Sequence, residues 1–171
     1  MRIRNLVLAA ATAACVPRAP APPAAPPPAA APPGAPPRPA PLAAEWRDWP
    51  LTPGTWTYRQ DARGSIALFG QAGADASLTV RCDRAARQIY LSRPGGDPRP
   101  FTIRTTSLTR AVTVQPTGGT PAYVAAALPA TDPLLDAMAF SRGRFVVEQA
   151  GAPLVVPPYA EIGRAIEDCR G

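Results

Sequence analysis

Residues 132–170 read DPLLDAMAFSRGRFVVEQAGAPLVVPPYAEIGRAIEDCR, and their local signals follow the order helix, strand, strand, helix. Asp132 can accept a hydrogen bond from a free N–H of a first helical turn, and Pro133 suits the first helical position because it lacks a donor. Leu134, Leu135 and Met138 form one apolar stripe of a short helix, and Gly143 stops it. Residues 144–149, with Val146 and Val147 β-branched, and the run Leu154-Val155-Val156 flank a Gly/Pro turn, which predicts a β-hairpin. Pro157-Pro158 ends the second strand and opens the last helix. There Tyr159, Ile162, Ile166 and Cys169 fall on a single face. Arg164 and Asp168 stand at i, i+4 on another face, a pairing worth about 0.2–0.5 kcal/mol.

Upstream, short runs alternate with turn residues from Thr55 onward. The runs are 55–60, 65–69, 77–82, 88–92, 101–106, 111–115 and 122–128. Gly, Pro and Asp clusters separate them, most plainly Pro94-Gly95-Gly96-Asp97-Pro98. With the C-terminal hairpin they predict about nine strands. The fold class expected is therefore mainly β (α+β): an antiparallel sandwich or barrel with one short helix and a C-terminal helix packed on the sheet.

The first 44 residues do not belong to that pattern. Arg2 and Arg4 precede an apolar run, 6–14, too short to span a bilayer and of the right length for a signal-peptide core. Residues 1–15 are thus expected to be a signal peptide. Its end, Thr12-Ala13-Ala14-Cys15, resembles the lipobox of bacterial lipoproteins, although Thr12 stands where that family usually has Leu. The resemblance implies lipidation of Cys15, and Val16 in place of Asp implies an outer-membrane destination. Residues 16–44 are almost entirely Pro and Ala, interrupted by Arg18, Gly34 and Arg38. Such a stretch buries no core. At ~3.1 Å per residue it can act as a stiff spacer reaching on the order of 90 Å. Residues 45–171 are left as a single β-rich domain of ordinary size.

Composition narrows the chemistry. The chain of 171 residues has 18 basic residues, all Arg, against 12 acids, a formal charge of +6, and no His. From Trp46 onward there are 14 Arg and 11 acids. That balance is too mild and dispersed for nucleic-acid binding. Without His, the usual catalytic triads and imidazole metal sites are excluded. No catalytic residue, metal or cofactor is expected. The carboxylate pairs Asp132/Asp136 and Glu167/Asp168 read as helix capping and as partners of Arg164 and Arg170. Two groups stand as ligand-binding candidates. Trp46, Trp49 and Trp56 crowd the start of the domain, either as a plug on one end of a β-core or as an aromatic platform for sugar or peptide. Arg142 and Arg144 could clamp an anion, or simply place cations at the negative end of the short helix.

Of the three cysteines, Cys15 is claimed by the signal or the lipid, leaving Cys82 and Cys169. Cys82 shares a strand face with Leu78 and Val80, and Cys169 shares the apolar stripe of the last helix. A secreted domain is oxidising territory, so a Cys82–Cys169 disulfide is expected.

The segment around Met138, Phe145-Val146-Val147, Leu154-Val155-Val156 and the Ile162/Ile166 helix resembles the C-terminal half of the invasion-associated locus B family. It is also similar to uncharacterised alphaproteobacterial lipoproteins. The resemblance implies an envelope location and a β-rich fold. It carries no functional residue. The function expected is a non-enzymatic envelope lipoprotein presenting a binding or structural β-domain on a stalk. Its partners would be the membrane, through the lipid, and an envelope protein or peptidoglycan. The alternatives are a periplasmic small-ligand carrier and an enzyme inhibitor.

Because residues 16–44 contribute no core, a chain beginning at Glu45 is expected to melt within a few degrees of the full mature chain. Calorimetry of the two measures this, and a large drop would contradict the division.

Overall fold

The computed structural model describes residues 44–171. The signal segment, Cys15 and residues 16–43 of the Pro/Ala stretch lie outside the described residues. A short 3-10 turn, Trp46–Asp48, leads into ten antiparallel strands: β1 (Thr55–Asp61), β2 (Gly64–Gly70), β3 (Leu78–Asp83), β4 (Gln88–Pro94), β5 (Phe101–Arg104), β6 (Thr109–Val112), β7 (Gln115–Pro116), β8 (Tyr123–Pro129), β9 (Phe145–Glu148) and β10 (Leu154–Val156). Two helices complete the fold, α1 (Pro133–Ala139) and α2 (Ala160–Arg170). The strands form two open sheets. The first runs β1-β2-β3-β4-β8-β7 and the second β10-β9-β5-β6. Of the two expected β architectures, the closed barrel is therefore excluded and the sandwich-like one is found.

Alternation along the strands builds the interior. Leu78, Val80 and Cys82 on β3 are fully buried, whereas Thr79, Arg81 and Asp83 between them are half-buried. Ile89 and Leu91 on β4, and Val124, Ala126 and Leu128 on β8, follow the same period of two. From the second sheet come Phe101, Ile103, Phe145 and Val147, and from the helices Leu134, Leu135, Met138, Ile162 and Ile166. All belong to one continuous apolar cluster.

The chain starts its helices where the sequence says it should. Asp132 caps α1 by accepting from the Leu134 N–H at 2.8 Å, and Arg110 donates to both of its carboxylate oxygens at 2.8 and 2.9 Å. Helix α2 departs from expectation at its first residue. Tyr159 is its N-cap, in extended backbone and 57% exposed, so it lies off the buried stripe and Ala165 completes that stripe instead. A second departure concerns 111–115, expected as one strand. Ala111 and Val112 end β6 in the second sheet, while Gln115 starts β7 in the first. Val112 and Val114 are both buried, because the chain crosses between the sheets through the core and the apolar alternation does not register the crossing.

Helix α2 packs against β2 and β3. A disulfide joins Cys82 to Cys169, with Cα atoms 5.3 Å apart and a separation of 87 positions in sequence. Around it the chain closes tightly. Gly64, at φ +147°, would place a Cβ 2.7 Å from the Cys82 carbonyl oxygen, so only glycine fits that end of the β1–β2 hairpin. Arg87 donates to the Arg170 carbonyl at 2.7 Å, and Arg170 reaches Asp136 on α1 at 2.8 Å.

The chain-entropy model values closing a loop of this size at ~4–5 kcal/mol. Replacing both cysteines by alanine is expected to cost about that much. Urea unfolding of the double variant measures it, and a loss under about 1 kcal/mol would contradict the assignment of α2's attachment to this bond.

Candidate functional site

The five expected ligand-binding residues do not converge on one site. Trp56 is 6% exposed, lies against Phe69 with ring centroids 5.4 Å apart, and donates its indole N–H to the Pro157 carbonyl at 2.8 Å. It seals the core and presents no ring to solvent, as the plug reading has it. Trp46 and Trp49 are half-buried on the leading segment. The Arg47 guanidinium sits 4.7 Å over the Trp46 ring. Arg144 donates to the Trp49 carbonyl, and Thr52 exchanges two hydrogen bonds with Val155, at 2.9 and 3.0 Å. Arg144 therefore fastens the leading segment beside the β9–β10 hairpin. Arg142 is exposed, and its backbone N–H donates to the Thr106 hydroxyl at 3.1 Å.

The expected carboxylate pairs also resolve into structural partners. Asp136 and Glu167 both hold Arg170, at 2.8 and 2.9 Å. Asp168 does not form a simple helix pair with Arg164. The Tyr58 hydroxyl of β1 donates to its carboxylate, and the Arg164 guanidinium lies 4.3 Å over the Tyr58 ring. Burial pushes the Asp168 carboxyl up. The Tyr58 hydroxyl, with the Arg164 charge, outweighs burial and leaves it below the usual carboxylate range. This cluster ties α2 to the edge strand β1. An arginine not foreseen as special, Arg93, points into the sandwich and donates to the Val147 carbonyl at 3.1 Å, linking the two sheets. Burial lowers its pKa. Among the described residues no three His, Cys, Asp or Glu side chains stand where they could share a metal ion.

The concave feature with binding chemistry lies on the outer face of the first sheet. Pairing sets two rows across it: Leu68, Thr79, Ser92 and Ala125 in one, Ile66, Arg81, Tyr90 and Ala127 in the next. On β8 the outward residues here are alanines, so the sheet surface drops beside Tyr90 and Ser92. The result is a cleft of about 210 Å³. Tyr90, Thr79 and Ser92 form its floor with Ala125, while Arg63, Arg81 and Thr117 stand at its rim. The hydroxyls of Thr79 and Ser92, directly opposite each other on neighbouring strands, have no hydrogen-bond partner among the described residues.

Two ion pairs fix the arginines. Arg81 grips Asp61 through both terminal nitrogens, at 3.2 and 2.7 Å, and Arg63 holds Asp83 through one, at 2.8 Å. The Arg81 hydrogen bond holds the Asp61 carboxyl down at about 2. The Arg63 hydrogen bond and the Ala86 N–H keep Asp83 below its ordinary range as well. Arg81 is the more restrained of the two, its side chain 20% exposed against 60% for Arg63. Arg84, exposed in the turn after β3, lines a neighbouring depression with Arg63 and Asp83 and does not reach this cleft. The sequence signal for this site was the outward half of β3 and β4. What hid it was register, since nothing in the chain says that β8 rather than β5 lies beside β4.

Comparisons with family models, curated proteins and solved structures found no match to this chain.

Replacing Asp168 by Asn is expected to cost about 1–2 kcal/mol, because a charged acceptor of a partly buried hydroxyl becomes a neutral one. A carboxyl whose folded pKa is depressed stabilises above its unfolded value of about 4 and loses that contribution as pH falls through the folded value. The stability difference between wild type and Asp168→Asn should be full near neutral pH and vanish in strong acid. Urea titrations at several pH values test this; a difference constant with pH would contradict it.

Proposed function

We propose that this chain is a non-enzymatic, lipid-anchored envelope protein, in which residues 45–171 form a binding or structural domain held on the Pro/Ala stalk. The observation that supports this most is the filled interior. The inward positions of both sheets are taken by side chains such as Phe69, Phe101, Phe145, Leu78 and Ile103, all fully buried. A carrier of small apolar ligands needs an interior cavity with a mouth. The residues expected to line one, Trp56 and Arg144, are instead used in sealing the core and fastening the leading segment. Recognition then belongs to the outer surface, which suits a domain that meets a partner at the end of a spacer. The location rests on the charged start, the short apolar run and the lipobox-like end at Cys15. The resemblance of residues 132–170 to the invasion-associated locus B family agrees with it.

In a bacterial host the protein is expected to incorporate labelled palmitate and to partition into detergent, and Cys15→Ser should abolish both. Labelling that persists in that variant would remove the anchor, and a chain recovered wholly in the soluble fraction would remove the envelope tether.

A further inference from the structure

We infer that the cleft on the outer face of the first sheet binds a single sugar ring bearing a carboxylate. This rests on the binding-domain reading above and gives that domain a ligand class. Four features of the cleft carry it. Its volume, about 210 Å³, falls below the ~300–1,000 Å³ of sites for drug-sized ligands and suits one ring. Its floor offers the Tyr90 side chain beside the Ala125 methyl, an apolar platform on which the C–H face of a pyranose can lie. Beside that platform the Thr79 and Ser92 hydroxyls are unpartnered. They face each other across neighbouring strands, and each can both donate and accept, as sugar hydroxyls require.

The fourth feature selects the acid. Arg63 holds Asp83 with one nitrogen and leaves most of its donors free. A ligand carboxylate can join Arg63 without displacing Asp83, whereas Arg81 is held by Asp61 through both terminal nitrogens and acts as a fixed wall. A more highly charged anion would meet Asp61 and Asp83, which already neutralise Arg81 and Arg63. Other, larger surface depressions, one beside residues 70–76 and β1 with Thr55, Thr57, Arg59 and Asp75 in its lining, one beside β5 and β9 and one at the β1–β2 turn, offer no aromatic ring.

Two chemical sources share this ligand: the lactyl-ether amino sugars of peptidoglycan strands from which the stem peptide has been removed, leaving the lactyl carboxylate free, and the uronic acids of acidic polysaccharides. The test titrates the full mature chain with three probes: the peptide-free disaccharide of peptidoglycan, a galacturonic acid trisaccharide, and a neutral N-acetylglucosamine trisaccharide. The readouts are calorimetry and backbone amide shifts. At least one acidic probe is expected to bind, with a Kd on the order of 1 mM or below and about tenfold tighter than the neutral one. Shifts should centre on Thr79, Tyr90 and Ser92. Tyr90→Ala should weaken binding about fivefold to tenfold. Ala125→Leu, which fills the cleft from an outward position, should abolish binding with an unchanged melting temperature. Which acidic probe binds identifies the source. Absence of binding by both acids, equal binding of the neutral probe, shifts centred elsewhere, or full binding by a folded Ala125→Leu protein would each overturn the inference. Palmitate labelling at Cys15 is independent of all of these, so the failure of the sugar site and the failure of the envelope reading are separately visible.

Discussion

Helix α2 is the last element of the chain, and a central strand holds its final turn. The Cys82–Cys169 bond fixes the helix on the inner face of the six-stranded sheet, and several other constraints gather around the two residues it joins. Gly64 must be glycine because the β1–β2 hairpin ends against the Cys82 carbonyl. Arg170, next in sequence to Cys169, is thereby placed to reach Asp136 on α1 and the Ala130 carbonyl after β8. Asp168, on the other side, is placed to receive the Tyr58 hydroxyl from β1. One covalent bond thus sets the position of three consecutive side chains, which in turn hold the first strand, the last strand of the meander and the short helix. Individually the exposed ion pairs among these are worth little; the chain supplies their geometry and they refine it.

The parts of this arrangement legible in the sequence are those that depend on neighbours along the chain. Asp132 and Pro133 start a helix for local reasons, and Leu78, Val80 and Cys82 share a face because a strand has a period of two. The disulfide was legible because those two local patterns each pointed one thiol inward. The parts that were not legible depend on partners distant in sequence. Val112 and Val114 read as one strand, since a crossing between two packed sheets is apolar on both sides. Tyr159 completed a helical stripe on paper, but the proline pair before it leaves it extended at the cap. Arg164 and Asp168 looked like a pair until β1 placed Tyr58 between them.

The cleft belongs to the same category. Thr79, Arg81, Tyr90 and Ser92 could be assigned to the outward face from alternation alone. Their grouping required the register between β3 and β4, and the depression itself required Ala125 from β8. Small side chains leave little trace in a sequence already rich in alanine. The tryptophans offered both a plug and a platform from sequence, and for Trp56 it is the end of the core that claims the ring, where its N–H donates to the Pro157 carbonyl. Large aromatics near the start of a small domain are more valuable to the core than to a ligand.

The fastening of the leading segment has a mechanical consequence. A pull applied N-terminal to Trp46 reaches the fold first where Arg144 holds the Trp49 carbonyl, and then where Thr52 is bonded on both sides to Val155. Those contacts belong to the smaller sheet and its edge hairpin. Only after they part does load pass into β1, and β1 is itself tied through Tyr58 to a helix that is covalently anchored to β3. The chain therefore carries a yielding element in series before the rigid one, so tension at its N-terminal side is relieved at the β10 edge while the face bearing Tyr90 keeps its shape.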